Sequence, residues 1–330
     1  MRIKDIAKLA GVSPATVSRV MNNNGYVKDE KREAVLKVIK EVDYQPNSIA
    51  KSLKNQKSHM LGVIVPKIST ETASRVVSGV TEVAKAHGYQ VLIANTDLDI
   101  EEEINYLKFL SNKSVDGIVM MGTEITDRHL EVMDKLTVPI VILGQEVFGY
   151  TSIIHNDYEA SYQMTAYLIS QGHKAIAFIG VSEKDKAVGV IRKNGYLDCI
   201  KDHGLEVDEE LMAIGDFDID TGYQMMNKVL EKKIPTAVYA VTDHLAIGAT
   251  HALLDKGYRV PEDVSVVGIG DIKLAEYLNP PLTTVHYTFK TSGKMAAEVV
   301  FDLIHRVRTK GECLMTTFEL KKRASVKNIR

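Results

Sequence analysis

Close to the N-terminus, Ala15, Thr16, Ser18 and Arg19 fall on the outer face of one short helical stretch, with Ser13 before them and Asn22 after. These residue types suit one kind of chemistry. An arginine fork can donate two hydrogen bonds to guanine O6 and N7, worth about 1–3 kcal/mol of discrimination against another base. Ala15 can offer only a methyl contact, for instance to thymine. The side chains of Ser13, Thr16, Ser18 and Asn22 are sized for phosphate oxygens.

The elements that must hold them can be read from the same stretch. IKDIAKLAGVSPATVSRVMNNNG reads as two helices, Ile3 to Leu9 and Ser13 to Asn22, joined by a tight turn. Gly11 sits where a positive φ is often needed. Ser13 suits the N-cap, and Pro14 suits the first helical position, where no N–H is required. Ile6, Leu9, Val12, Val17 and Val20 are expected to meet inside. A small helix pair with a polar outer face is the pattern of a helix-turn-helix reading head. A third helix, about Asp29 to Val42, carries Val35, Val38, Ile39 and Val42 as one apolar stripe. Gln45 before Pro46 ends it. Residues 48–58, SIAKSLKNQKS, can be helical but are too short to be stable alone, so they are expected to fold against DNA.

Charge supports the division. Residues 1–57 hold 12 Lys and Arg against six acids, while the remainder holds 29 against 37. A basic head on an acidic body suits a protein that places only its head on a polyphosphate. The 330 residues exceed one domain's usual share, and hydrophobic content of 45% and charged content of 25% are ordinary for a globular protein. No apolar run approaches the ~20 residues of a membrane span, and no signal-like segment opens the chain, so a cytoplasmic protein is expected. Cys199 and Cys313 have no metal or CxxC spacing and read as idle thiols in a reducing compartment.

From Met60 the period changes. The runs MLGVIV, QVLIAN, DGIVMM, IVIL, AIAFIG, AVYAV and SVVG alternate with amphipathic helices. That is the pattern of parallel strands covered on both faces. Two sets, roughly 60–157 and 158–285, predict two doubly wound α/β lobes with a ligand cleft between them at the carboxyl ends of the strands. A long helix near 289–308 and a last strand near 315–320 follow. Thr242 and Asp243 stand at the carboxyl end of AVYAV, and Pro66, Lys67 and Ser69 stand just past the first strand, so all are expected to face the cleft.

The chain resembles the LacI–GalR family of bacterial repressors over essentially its whole length. The run from Asp5-Ile6-Ala7 through Val12-Ser13-Pro14-Ala15-Thr16-Val17-Ser18-Arg19-Val20-Met21-Asn22 carries the resemblance. So does Tyr44-Gln45-Pro46-Asn47-Ser48-Ile49-Ala50-Lys51-Ser52-Leu53, the family's hinge. In the body the matching stretches are Gly172-His173, Arg192 with Gly195-Tyr196, Thr242-Asp243, Val260-Pro261-Glu262-Asp263, Pro281-Leu282-Thr283-Thr284-Val285 and Arg323-Ala324-Ser325.

The resemblance implies an all-α helix-turn-helix head (1–46), a hinge (47–58) and a periplasmic-binding-protein-like α/β body (59–330). Its N-lobe would span about 59–157 and 287–317, and its C-lobe about 158–286 and 318–330. It implies an effector-controlled homodimer on pseudo-palindromic double-stranded operator DNA. The base readers fall on Pro14, Ala15, Thr16 and Arg19. Leu53 takes the place of a hinge leucine that wedges into the minor groove, where apolar wedges kink the duplex. Asn47 and Ala50 would lie against that groove, and Lys51 stands where the family usually has Arg. The implied effector residues are Arg192 as principal anchor, with Pro66, Ser69, Asp157, Tyr196, Thr242, Asp243 and Phe289. Planar, bidentate groups with an apolar face suit sugar hydroxyls.

Two departures stand out. Gly270, in Gly268-Ile269-Gly270-Asp271, takes the place of the family's sugar-gripping aspartate, which would favour a larger or anionic ligand. Ser69-Thr70-Glu71-Thr72 replaces Asn-Pro-Phe-Phe. The runs GVSEKDKAVGVIRKNGYLD, VVGIGDIK and TTVHYTFKTSG resemble sucrose-operon and trehalose-operon repressors of low-GC Gram-positive bacteria. The expected effector is a sugar or sugar phosphate, with no cofactor and no metal. The alternative is a catabolite-control-type regulator whose body binds a phosphocarrier protein. An enzyme is not expected: no GxGxxG opens a helix after a strand, no GxxxxGK[ST] occurs, and the ten histidines show no metal spacing. No leucine-heptad tail follows Ser325, so a dimer is expected rather than a tetramer.

Overall fold

The structure is a computed structural model that describes residues 3–21, 23–42, 44, 57–112 and 114–330. The chain divides into two compact units, Met1–Ser58 and His59–Arg330.

The first unit holds α1 (Ile3–Leu9), α2 (Pro14–Met21) and α3 (Asp29–Glu41). Ile6, Ala7, Val17, Val20, Val27 and Val35 form its core. Leu9, expected inside, is 58% exposed. Ile6, Ala7 and Ala10 set the inward face of α1, and Leu9 ends the helix outside that face. Val27, ahead of α3, is buried among them.

In the second unit, the first lobe begins with β1 (Met60–Val65), α4 (Glu71–Ala86), β2 (Gln90–Asn95), α5 (Ile100–Ser111) and β3 (Gly117–Met121). It continues with α6 (Asp127–Met133), β4 (Ile140–Leu143) and β5 (Thr151–His155). The second lobe contains α7 (Asp157–Ser170), β6 (Ile176–Val181), a π-helical turn Lys186–Ile191 and α8 (Arg192–Asp202). After these come β7 (Met212–Gly215), α9 (Ile219–Leu230), β8 (Ala237–Ala240), α10 (Asp243–Asp255) and β9 (Ser265–Val267). The chain then returns through β10 (Thr284–Tyr287), α11 (Phe289–Ile304), β11 (Cys313–Thr316) and β12 (Phe318–Lys321).

The first sheet is six parallel strands in the order β11-β5-β4-β3-β1-β2, and the second is four parallel strands in the order β7-β6-β8-β9. β10 and β12 pair antiparallel, with Val285 opposite Leu320. Inner strands such as β3 and β8 are buried at every residue, as sheets covered on both faces require.

Some boundaries differ from the sequence pattern. The helix expected to reach 308 ends at Ile304. The last strand, expected near 315–320, is two strands, because the chain leaves the first sheet after Thr316 and joins β10 from Phe318. β5 and β7 are strands that apolar runs did not announce. β5 has two aliphatics among polar residues, and β7 is a half-exposed edge strand.

Candidate functional site

In the head, the start of α2 is fixed by its own first residues. The Thr16 N–H donates to Ser13 Oγ at 3.1 Å, and the two hydroxyls lie 2.9 Å apart. Ser13 is therefore the N-cap, and both hydroxyls are within reach of one more partner each. Gly11 has φ +63°, as the turn requires. Pro14, Ala15 and Arg19 are exposed, and Thr16 and Ser18 are half-buried. Arg32 Nη1 donates to Asn23 Oδ1 at 3.0 Å, tying the turn after α2 to α3. Asn22, Asn47, Ala50, Lys51 and Leu53 lie outside the described residues.

In the body, strand order reverses between β1 and β3 in one sheet and between β6 and β8 in the other. Open parallel sheets bind ligands beyond the carboxyl ends of strands at such reversals. The segments after those four strands line a cavity of about 220 Å³: Pro66 and Lys67, Gly122 and Thr123, Asp185, and Thr242 with Asp243. His155, Asp157, Arg192, Phe217, His244 and Phe289 also line it.

Arg192 is held from two sides. Its Nε donates to Asp157 Oδ1 at 2.7 Å and its Nη1 to the Val241 carbonyl at 2.5 Å. Tyr287 donates to the same Asp157 oxygen at 2.9 Å, and its ring lies 5.5 Å from the guanidinium carbon. Burial works against the guanidinium charge, but the adjoining Asp157 carboxylate overrides it and the proton is held more tightly than usual. A guanidinium has five N–H donors. Two of these are committed to protein, so the fork is oriented with donors to spare at the cavity.

Asp243 has a different task. Its carboxylate accepts the Ile272 N–H at 2.9 Å and the Thr284 hydroxyl. It ties the start of α10 to the 270–272 loop and to β10, and burial pushes its pKa up to about 6. Thr242 caps α10 by accepting from Leu245 N at 3.3 Å.

His155 is buried and neutral, its pKa pushed down by burial to about 4. Its Nδ1 lies 2.8 Å from Thr316 Oγ1, and its Nε2 has no partner among the described residues. Asp185 accepts the Val188 N–H at 2.8 Å, and burial raises its pKa.

Two residues bridge the lobes beside the cavity. Glu71 Oε2 accepts the Lys273 N–H at 2.8 Å, and Arg75 Nη2 donates to the Asp271 carbonyl at 3.0 Å. Arg75 also pairs with Glu71.

Of the expected effector residues, Pro66, Asp157, Arg192, Thr242, Asp243 and Phe289 come together around the cavity, as does Lys67. Tyr196 does not. It lies one turn beyond Arg192 on α8, buried in the lobe interior, with its hydroxyl donating to the Ile176 carbonyl at 2.9 Å. Ser69 is exposed on the loop before α4, and Thr70 and Thr72 line the wall instead. Sequence reasoning missed Asp185, which the strand-end rule applied to β6 would have found. It also missed His155 and Phe217, for which no local signal exists.

Among the described residues no helix is long and apolar enough to cross a membrane, and no cluster of His, Cys, Asp and Glu could hold a metal.

Comparison with known proteins bears on both units. The profile described as "Bacterial regulatory proteins, lacI family" matches residues 2–47, and "Periplasmic binding protein-like domain" matches residues 165–326. The HTH-type transcriptional repressor PurR of Vibrio atlanticus is 37% identical over 306 residues, covering 92% of this chain and 91% of the relative. PurR of Histophilus somni is 34% identical, covering 99% of each. A lac repressor dimer bound to operator and the anti-inducer ONPF aligns over 99% of both chains with a TM-score of 0.90 at 26% identity. A complex of the transcriptional regulator CelR with cellobiose aligns over 98% of this chain and 99% of that one, with a TM-score of 0.77 at 29% identity. With a capped helix in its first unit, two α/β lobes in its second and repressors aligned over nearly its whole length as relatives, this chain belongs to the lacI family of bacterial transcriptional repressors.

Proposed function

We propose that this repressor controls a carbohydrate-utilisation operon, sucrose-related in the first instance, and acts in the cytoplasm as a homodimer. Its hold on a pseudo-palindromic operator is set by a sugar or sugar phosphate in the cleft. The observation that carries the reading is Arg192, a buried guanidinium oriented by Asp157 and the Val241 carbonyl at the wall of a cavity between two lobes. Such a fork, beside the aromatic faces of Phe217 and Phe289, suits a hydroxylated ring. The DNA half rests on the exposed Pro14, Ala15 and Arg19 at the capped start of α2. In this reading Asn47, Ala50, Lys51 and Leu53 meet the minor groove, with Leu53 as the wedge. A ligand that contacts both lobes changes their closure and shifts the DNA-competent population, in proportion to its differential affinity for the two states.

Selection of binding sites from random duplexes, followed by footprinting, tests this. An inverted repeat is expected, with its protection altered by a sugar that also raises the melting midpoint of the protein. Arg19→Ala is expected to weaken binding and relax base preference at one symmetric position, by about 1–3 kcal/mol. Absence of any protected repeat, or unchanged selectivity in Arg19→Ala, refutes the assignment.

A further inference from the structure

The cleft wall carries two cations, Lys67 and Arg192, against three carboxylates, Asp157, Asp185 and Asp243. Arg192 is paired with Asp157, so the two are together close to neutral. Asp243 has accepted hydrogen bonds from Ile272 and Thr284. Asp185 is held only by backbone: it accepts the Val188 N–H, and among the described residues no Lys, Arg or His is hydrogen-bonded to it. It is 9% exposed and lines the cavity.

A second, independent feature points to the same kind of ligand. His155 is 7% exposed, lines the cavity and has no partner for Nε2 among the described residues. The Thr316 hydroxyl donates to the Ile154 carbonyl at 3.3 Å, so it accepts from His155 Nδ1–H. That pairing places the proton on Nδ1, and in this tautomer Nε2 presents a lone pair. Burial keeps the ring neutral, so it supplies no positive charge for an anion. Asp185 and His155 Nε2 thus accept hydrogen bonds, while Arg192 and Lys67 donate. A hydroxyl answers both needs, since it donates and accepts at once. A phosphate oxygen only accepts and brings charge beside Asp185.

We infer that Asp185 and His155 make this cleft select a neutral, compact, hydroxylated ligand, and that Asp185 is the residue that refuses the phosphorylated form. This narrows the proposed function and rests on the cleft being its effector site. The size agrees: about 220 Å³ is below the ~300–1,000 Å³ of pockets for drug-sized ligands, and suits a single ring. Asp185 also opens the π-helical turn Lys186–Ile191 by accepting from Val188, which is the bland account of its presence. Asn caps a helix as well as Asp does, so Asp185→Asn separates the two accounts: it keeps the cap and removes the charge.

The test is a melting-midpoint titration of the full chain with fructose, glucose, ribose, sucrose, fructose 6-phosphate, glucose 6-phosphate and inorganic phosphate. Wild type, Asp185→Asn and His155→Phe are compared, with the unliganded midpoint as the folding control. At least one neutral sugar is expected to stabilise the wild type while its phosphate ester does not. Asp185→Asn is expected to bind that sugar at least fivefold more weakly and to gain about tenfold for the ester. His155→Phe keeps the ring and loses the acceptor, and is expected to weaken the sugar with no gain for the ester. Tighter binding of an ester than of its parent sugar by the wild type, or an unchanged preference in Asp185→Asn, overturns this inference alone. No response to any of the seven compounds, with operator binding intact, overturns the effector reading and this inference with it.

Discussion

His155 and Asp243 face the same cavity and hold their protons in opposite senses. Burial keeps His155 neutral down to about pH 4 and Asp243 protonated up to about pH 6. An unfolded histidine titrates near pH 6.5 and an unfolded aspartate near pH 4. Between about pH 6.5 and 4, unfolding therefore takes up a proton at position 155, and that contribution to stability falls as the pH drops. Between about pH 4 and 6, unfolding releases a proton at position 243, and that contribution falls as the pH rises. Each slope amounts to about 3 kcal/mol over its range, so in the wild type they largely cancel. Asp243→Asn is expected to leave the histidine slope, with a melting midpoint that climbs relative to wild type from about pH 4.5 to 6. His155→Gln is expected to show a relative fall over the same interval. Profiles parallel to wild type in both variants rule the pairing out, and groups common to all three proteins drop out of the comparison. These two residues also mark what the sequence could disclose. Arg192 was legible because it sits in a stretch matching the family pattern. His155 was not, because its role depends on Thr316, which is 161 positions away.

At the scale of elements, strands were legible wherever both faces are buried, as in β1, β3, β4, β6 and β8, because burial on both sides leaves a continuous apolar run. β5 and β7 escaped because their patterns are mixed or half-exposed. Helix pairing was not legible, since it depends on where two glycines meet. α4 and α11 cross backbone to backbone: a Cβ at Gly79 would stand 2.1 Å from the Lys290 carbonyl oxygen, and one at Gly293 2.2 Å from that of Val76. The second lobe repeats the device in α9 and α10, where a Cβ at Gly248 would stand 2.0 Å from the Ile219 carbonyl oxygen and one at Gly222 2.4 Å from that of Leu245. Alanine favours a helix over glycine by about 1 kcal/mol. Forcing these backbones apart costs about 1–3 kcal/mol or more. Gly79→Ala is therefore expected to lower the melting midpoint by several degrees and leave affinity at the cleft almost unchanged. A midpoint equal to or above wild type sinks the crossing argument.

Across the whole body, the cavity wall and the bridge between lobes are built from alternating residues. Thr70 and Thr72 line the cavity on either side of Glu71, and Gly270 and Ile272 do so on either side of Asp271. Glu71 and Arg75 then reach the backbone of 271–273 across the gap. A ligand that moves one wall must load that bridge, which favours the closed arrangement by an amount set by these hydrogen bonds. Charge-assisted bonds at half-exposed positions contribute about 1 kcal/mol. Glu71→Ala is expected to weaken ligand binding about fivefold with little change in the unliganded midpoint, measured by titration calorimetry; an unchanged Kd removes the bridge from the mechanism. The order of the first sheet carries one more consequence. Its inner strands are written early, but β11 and α11 come after most of the second lobe. A nascent chain leaving the ribosome has already presented its reading head and most of its second lobe before Val300 of α11 can pack against Gly117. Synthesis cut short before that helix leaves the face of β3 and the Val76–Val80 stripe of α4 without cover. Such a fragment meets chaperone or protease with an apolar surface bare, and carries a head that no finished clamp governs.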